Sequence, residues 1–321
     1  MGHVALGEVK LLAGRKPVEE VLRESQLSHQ EQLKIQLIID VKSFAVDHLG
    51  LDGGDSYSSY VNIDGPYVSY ALSAAPKDAL ESYLWHFPII GELPYKGFFR
   101  KDYALRREKR LARKGYDTYL RGISAFSTLG YFDDPIVSCM LRYDDSDLVE
   151  TVIHELLHRT VWVKGNVNFN ENLANFVAEK GTLAYLVRRY GESSPESRHY
   201  RDVLADTRLF EKQIEVLTTQ LETMYGESIS REEKVRRREE FFEQAKADYA
   251  PILLQMKTER YKGFFERHTM NNALLLSYRR YHRDTSFFEK ALEGDGADLS
   301  RMIVALQNLS PEEIPVTFRD P

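Results

Sequence analysis

A single cysteine, Cys139, is all that the 321 residues hold, so no intrachain disulfide can form. One thiol cannot build a thiolate metal site either, and any bound metal must rely on histidine and carboxylate. Cys139 lies in an apolar run and reads as a small buried hydrophobe. Runs of about 18 apolar residues are missing, which excludes a membrane-spanning helix. So is any excess of positive charge: 43 Lys and Arg against 49 Asp and Glu leave a net charge of −6, no footing for nucleic acid as the main partner. The first residues, Met1-Gly2-His3-Val4-Ala5-Leu6, lack the basic-then-apolar order of a signal peptide. Internal repeats and low-complexity segments are absent. Charged residues at 29% and hydrophobic ones at 43% are the values of a globular chain.

What is present is period and punctuation. Residues 4–13 and 17–24 read as short helices broken at Gly14, with Pro17 at a first helical position. Ser28 with Glu31 is a capping-box signature. It opens a helix of about 20 residues whose stripe is Leu33, Leu37, Val41, Phe44 and His48, and which Gly50 ends. Residues 67–72 and 82–87, rich in aromatic and β-branched side chains, predict strands of a small sheet. Residues 100–114 carry eight Lys and Arg on a short helix, the pattern of a solvated face. Residues 116–120 predict another strand, and 125–135 an extended run into a turn.

Asp147 with Glu150 reads as a second capping box, opening a helix over 148–162 that Lys164-Gly165-Asn166 stops. The next helix begins near Asn168 or Asn170 and runs to Tyr190. Ser194-Pro195 starts a long helix with Phe210, Ile214, Leu217, Leu221 and Met224 on one face. After Gly226, Ser230 with Glu233 caps an antiparallel partner running toward Pro251. Shorter helices follow over 271–283, 285–292 and 298–308. The linear division this suggests is N-terminal helices over 1–56, a core over 57–192 and a helical part over 193–321.

The helix over 148–162 holds His154-Glu155-Leu156-Leu157-His158. One turn apart, His154 and His158 leave the same face and can close on one ion, with Glu155 about 100° round the helix as a base for activated water. A catalytic zinc wants a third protein ligand. If the two helices fold back at Lys164-Gly165, Glu171 comes level with His158 and Asn175 with His154, where its amide can orient that imidazole. The competing carboxylate, Glu179, lies roughly 12 Å further along. An oxyanion needs a further donor. Tyr278, Tyr281, His268 and His282 cluster near Asn271-Asn272, and spacing does not choose among them; Tyr281 is carried forward as the catalytic candidate.

Several stretches together resemble the bacterial putative aminopeptidase family of zincin-like metallopeptidases. They are Leu11-Leu12-Ala13-Gly14-Arg15-Lys16-Pro17, Tyr95-Lys96-Gly97-Phe98-Phe99 and the distinctive run from Phe126 through Pro135. The His154–His158 motif, Val163-Lys164-Gly165, Phe169-Asn170-Glu171, Asn271-Asn272-Ala273 and Tyr281-His282 complete the match. The resemblance implies Zn2+ on His154, His158 and Glu171, Glu155 as base, and a gluzincin arrangement in which Asn175 stands where many relatives of that clan have aspartate. It also gives a role to Thr128, Leu129, Gly130, Tyr131 and Phe132, as a sheet edge that pairs with extended substrate. Asp133 or Asp134 would then meet a free amine, or both cap the turn before Pro135. Members of the family look exported and often lipid-anchored, which implies the cell envelope or periplasm and a leader or anchor ahead of residue 1; the cytoplasm stays open.

The expectation is therefore an α+β protein: a zincin-like core, made of a small mixed sheet and the motif hairpin, with a mainly α-helical C-terminal part. Its expected work is zinc-dependent hydrolysis of a peptide or protein substrate, with aminopeptidase action implied by the family. The alternatives are a zinc endopeptidase or other amidohydrolase, and a non-enzymatic envelope binding module built on the long helical hairpin.

Overall fold

The computed structural model describes residues 14–24, 27–87, 91–124, 133–281, 285–315 and 318. Its first elements are β1 (Lys16–Pro17), α1 (Val18–Arg23), α2 (His29–Leu49), β2 (Ser59–Val61), β3 (Ser69–Pro76), β4 (Trp85–Phe87) and β5 (Gly91–Leu93). Then come β6 (Tyr95–Phe98), α3 (Lys101–Ala112), β7 (Tyr116–Ile123), β8 (Ile136–Val137), α4 (Asp145–Thr160) and α5 (Val167–Tyr190). The remainder is helical: α6 (Pro195–Tyr225), α7 (Arg231–Leu253), α8 (Phe264–Arg267), α9 (Asn272–Tyr281), α10 (Ser286–Gly294) and α11 (Leu299–Gln307). The class is α+β, as expected, with helices dominating and small sheets. Among the described residues no helix is long and apolar enough to cross a membrane.

The chain divides into two compact units, neither continuous in sequence. The first takes Met1–Ser69, Gly122–Glu192 and Arg283–Pro321; the second takes Tyr70–Arg121 and Ser193–His282. This partition shares the boundary after Glu192 with the linear division at 56 and 192 and otherwise interleaves its parts.

In the first unit β2 lies between β1, antiparallel to it, and β8, parallel to it. Helix α2 begins as its sequence dictates. Ser28 Oγ accepts the Glu31 N–H, the Glu31 carboxylate accepts the Ser28 N–H at 2.8 Å, and Gly50 ends the helix with φ 70°. Its inner face keeps Leu37, Val41 and Phe44 of the expected stripe but not its ends. Ile35, Ile38, Val41 and Ala45 are fully buried, whereas Leu33 is half exposed and His48 lies outside, against Phe44. Helices α4 and α5 form an antiparallel hairpin against α2. Gly181 lets α5 come close, since a Cβ there would sit 2.9 Å from Leu49 and 3.2 Å from Ile153. Behind α5, Phe169 and Phe176 pack on Phe288, which also touches Phe318, and Lys180 pairs with Glu289 at 2.8 Å.

In the second unit β3 lies between β6 and β7, and β4 with β5 forms a separate hairpin. The strand bounds differ from the sequence reading: residues 82–84 lie outside β4, β3 starts after Tyr67 and Val68 but runs on to Pro76, and β7 runs past 120 to Ile123. The α6–α7 hairpin begins as predicted. Ser194 and Ser230 accept hydrogen bonds from the backbone of the first turns, and Pro195 stands at the start. Phe210, Ile214, Leu217 and Leu221 on α6 pack with Phe242 and Tyr249 of α7 and with Leu274 and Leu275 of α9. A buried ion pair crosses this core. Asp117 meets Arg238, 2.5 Å from Nη1 and 3.1 Å from Nη2, and accepts the Asn272 N–H at 3.0 Å. Asn272 also accepts from the Tyr225 hydroxyl and donates to Pro76 O and Ala79 O.

Two helix starts differ from expectation. Helix α4 begins three residues earlier than 148, with Asp144 at the cap, so Asp147 falls inside the first turn and the Asp147–Glu150 box is not formed. Asp144 stands at the cap with extended backbone and makes no side-chain cap hydrogen bond. Pro17 caps α1 and pairs in β1, one position before the first helical residue. The predicted helix over 4–13 lies outside the described residues.

Candidate metal centre

Helix α4 buries Leu148, Val149, Val152, Ile153, Leu156 and Leu157, which fixes its rotation against α2 and α5. The same rotation turns His154 and His158 together. Their Nε2 atoms lie 3.0 Å apart, with the rings edge-to-face. Thr160 ends the helix, donating from Oγ1 to Leu156 O and accepting the Asp52 N–H. The chain reverses over residues 161–166, with Gly165 at φ 79°, a conformation that suits glycine.

Asn170 sets how the second helix returns. Its Nδ2 donates to Val163 O at 2.8 Å, and its Oδ1 accepts the Val163 N–H at 2.9 Å, all buried. One residue on, Glu171 places Oε2 3.7 Å from His154 Nε2 and Oε1 3.6 Å from His158 Nε2. Among the described residues these three form the one group of His, Cys, Asp and Glu whose donor atoms converge closely enough to hold an ion.

The geometry fits a single small divalent cation. Four donors at tetrahedral distances of about 2.0–2.1 Å would be roughly 3.3 Å from one another; the two imidazole nitrogens are 3.0 Å apart, and each faces its own Glu171 oxygen, at 3.7 Å for His154 and 3.6 Å for His158. Imidazole and carboxylate are also the donor types that a zinc-like ion takes. Burial alone lowers both imidazoles. For His154 the Glu171 hydrogen bond and the charges of Glu155, Glu171 and Glu150 outweigh it and push the pKa up to about 8. His158 stays depressed, at about 4, by burial and the neighbouring His154. Its Nδ1 is sealed from solvent and has no hydrogen-bond partner among the described residues. Trp162, one turn on, packs on the His158 ring with centroids 5.5 Å apart and planes at 74°.

The other sequence candidates fare differently. Glu155 stands half-buried beside His154, outside the donor set. Asn175 and Glu179 follow Glu171 on α5 by one and two turns, and neither joins the group. Tyr278 packs among Tyr119, Phe210 and Phe264 in the second unit, and burial raises its hydroxyl pKa. His268 rests on Phe264 and Tyr119, and burial lowers its imidazole. Asn271 and Asn272 are structural, since Asn271 donates to Thr118 O and accepts the Leu274 N–H. The side chain of Tyr281, all of His282 and the proposed edge Thr128–Phe132 lie outside the described residues.

Asp133 is already engaged. Its carboxylate pairs with Arg159 at 2.9 Å and accepts the Asp55 N–H, and its carbonyl takes Arg15. Beside it Tyr57 is buried with φ 62°, its N–H donating to Asp134 O at 2.7 Å. Burial pushes the Tyr57 hydroxyl well up, and the carboxylates of Glu155 and Asp134 add to the effect. Trp162 and Tyr57 carry no motif, and sequence reading passes over them; it names Asn170 only as a helix start and within the family match, with no such role. The one available signal is an amide at a position of α5 that otherwise points inward.

Comparison with known proteins returns one result. No curated protein and no solved structure matches the chain. The model of a family described as "Putative aminopeptidase" matches residues 1–315, which takes in every residue of the donor group and nearly all of both units. By that match the chain belongs to the putative aminopeptidase family.

Proposed function

We propose that this chain is a zinc-dependent peptidase acting as an aminopeptidase, with the α4–α5 hairpin as a zincin-like, gluzincin-type core. The observation that carries the reading is the convergence of His154, His158 and Glu171 from two helices, with Glu155 next in line to His154. His154, His158 and Glu171 would hold the zinc, which when bound supplies a Lewis acid for a peptide carbonyl and acidifies water. Glu155 then takes the proton of the attacking water on a carboxylate oxygen and returns it to the nitrogen of the departing amine. Asn175 orients His154 from the facing helix. Tyr281 is the candidate donor to the oxyanion, and residues 128–132 the backbone edge along which the peptide lies. Preference for a free N-terminus follows from the family description alone, because the Asp133 carboxylate is held by Arg159 and Asp55.

Zinc titrated into metal-free protein tests this directly. We expect one equivalent to be taken up and peptides with a free amino terminus to be cleaved while N-acetylated ones are spared. No uptake sinks the metal. Equal cleavage of blocked peptides would replace the aminopeptidase with an endopeptidase or another amidohydrolase. Uptake without turnover on either would leave a zinc-binding scaffold.

A further inference from the structure

His158 is 3% exposed, and its Nδ1 atom is buried without a hydrogen-bond partner among the described residues. That is unusual for an imidazole whose other nitrogen faces a donor cluster. A ligating histidine almost always donates its second N–H to a carboxylate, a carbonyl or water, which fixes the ring and its tautomer. When Nε2 is given to a cation, the hydrogen of a neutral ring sits on Nδ1. Two rings pack on this imidazole: His154 one turn before, inside the donor group, and Trp162 one turn after, outside it.

We propose that Trp162 takes the place of the missing acceptor, its indole face receiving the Nδ1–H of His158 and holding Nε2 on the metal position. Ring centroids 5.5 Å apart with planes at 74° are the edge-to-face geometry that such a contact needs. The inference rests on the metal reading and deepens it, making Trp162 a positioning residue. When Nε2 gives its lone pair to a cation, the Nδ1–H becomes more positive, and the negative face of an indole attracts it more strongly. The contact therefore matters more with metal bound than without. Trp162 is also 37% exposed, so its removal costs the fold less than that of a core residue.

Zinc affinity measured by competition with a chromophoric chelator, on the parent, Trp162→Phe and Trp162→Leu, provides the test. Phe keeps an aromatic face and should stay within about threefold of the parent; Leu keeps bulk without the face and should bind about tenfold more weakly. The thermal midpoints of the two metal-free variants should agree. In protein labelled with 15N-histidine, the His158 Nδ1–H resonance should be shifted upfield by the indole and lose that shift in Trp162→Leu. Parental affinity in Trp162→Leu, or equal losses in both variants, would overturn the proposal. A parent that takes up no zinc would overturn the metal reading and this inference with it, whereas the former results leave the metal reading standing.

Discussion

Glu155 and Glu171 carry the same side chain on adjoining helices, and their surroundings give them different work. Glu171 closes the donor triangle with both imidazoles; Glu155 stands outside it, next to His154. Replacing each by glutamine separates the two roles. In Glu155→Gln the zinc content should match the parent while kcat falls about 10²–10⁴-fold, the usual worth of a general base. In Glu171→Gln zinc content should fall along with activity, since a neutral amide is a poor ligand for a divalent cation. Zinc analysis of the two purified variants, beside their turnover of one peptide, checks both. A Glu155→Gln protein as active as its parent would remove the proposed base.

At the scale of elements, the site is a property of a hairpin rather than of a motif. The two hydrogen bonds between Asn170 and the Val163 backbone tie the turn to α5 and set the level at which Glu171 meets α4. Asn170→Ala would bury an unsatisfied N–H and C=O on Val163, each costing about 1–3 kcal/mol. Urea denaturation should show a loss of about 2–6 kcal/mol, the two together, and zinc affinity should fall because Glu171 is no longer held in register. Asn170→Asp keeps only the acceptor and should fall between the two. This clamp was hidden from sequence reading, because an asparagine in a helix resembles any weak helix former. The hairpin itself was legible. Spacing on either side of Lys164-Gly165 brings Glu171 level with His158, which the structure also does. The serine caps were legible at Ser28, which forms the full box, and at Ser230, whereas the start of α4 was not, because Asp144 stands at its cap without a side-chain cap hydrogen bond. Strands of two to four residues, such as β1, β2 and β8, are too short to show their alternation and were not found, while the eight-residue β3 and β7 were found with shifted ends.

At the scale of the molecule, two units each gather distant segments, a pairing that no local pattern records. The second unit depends on the buried Asp117–Arg238 pair, which joins β7 to α7 and carries the N-terminus of α9. Asp117→Ala would remove the buried partner of Arg238, itself 2% exposed, and leave it only the exposed Glu239 at 2.9 Å, a loss of up to about 3–5 kcal/mol. The two tryptophans divide the readout, because Trp85 lies in the second unit and Trp162 in the first. Urea unfolding followed through Trp85, with Trp162 replaced by Phe, should shift to lower denaturant in Asp117→Ala. Unfolding followed through Trp162, with Trp85 replaced by Phe, should shift less. Equal shifts at both positions would mean that the units unfold as one body.

The aromatic packing behind α5 has a consequence for how the protein is made. Phe169, two residues before Glu171, leans on Phe288 and Phe318, which belong to the last stretch of the chain. A ribosome has translated α4 and α5 and the whole of α6–α9 before it reaches the segment that backs the α4–α5 hairpin. Until that segment emerges, the nascent chain carries His154, His158 and Glu171 without the support that seats them. The α4–α5 hairpin thereby gains its aromatic backing only once residues as far as Phe318 have been made.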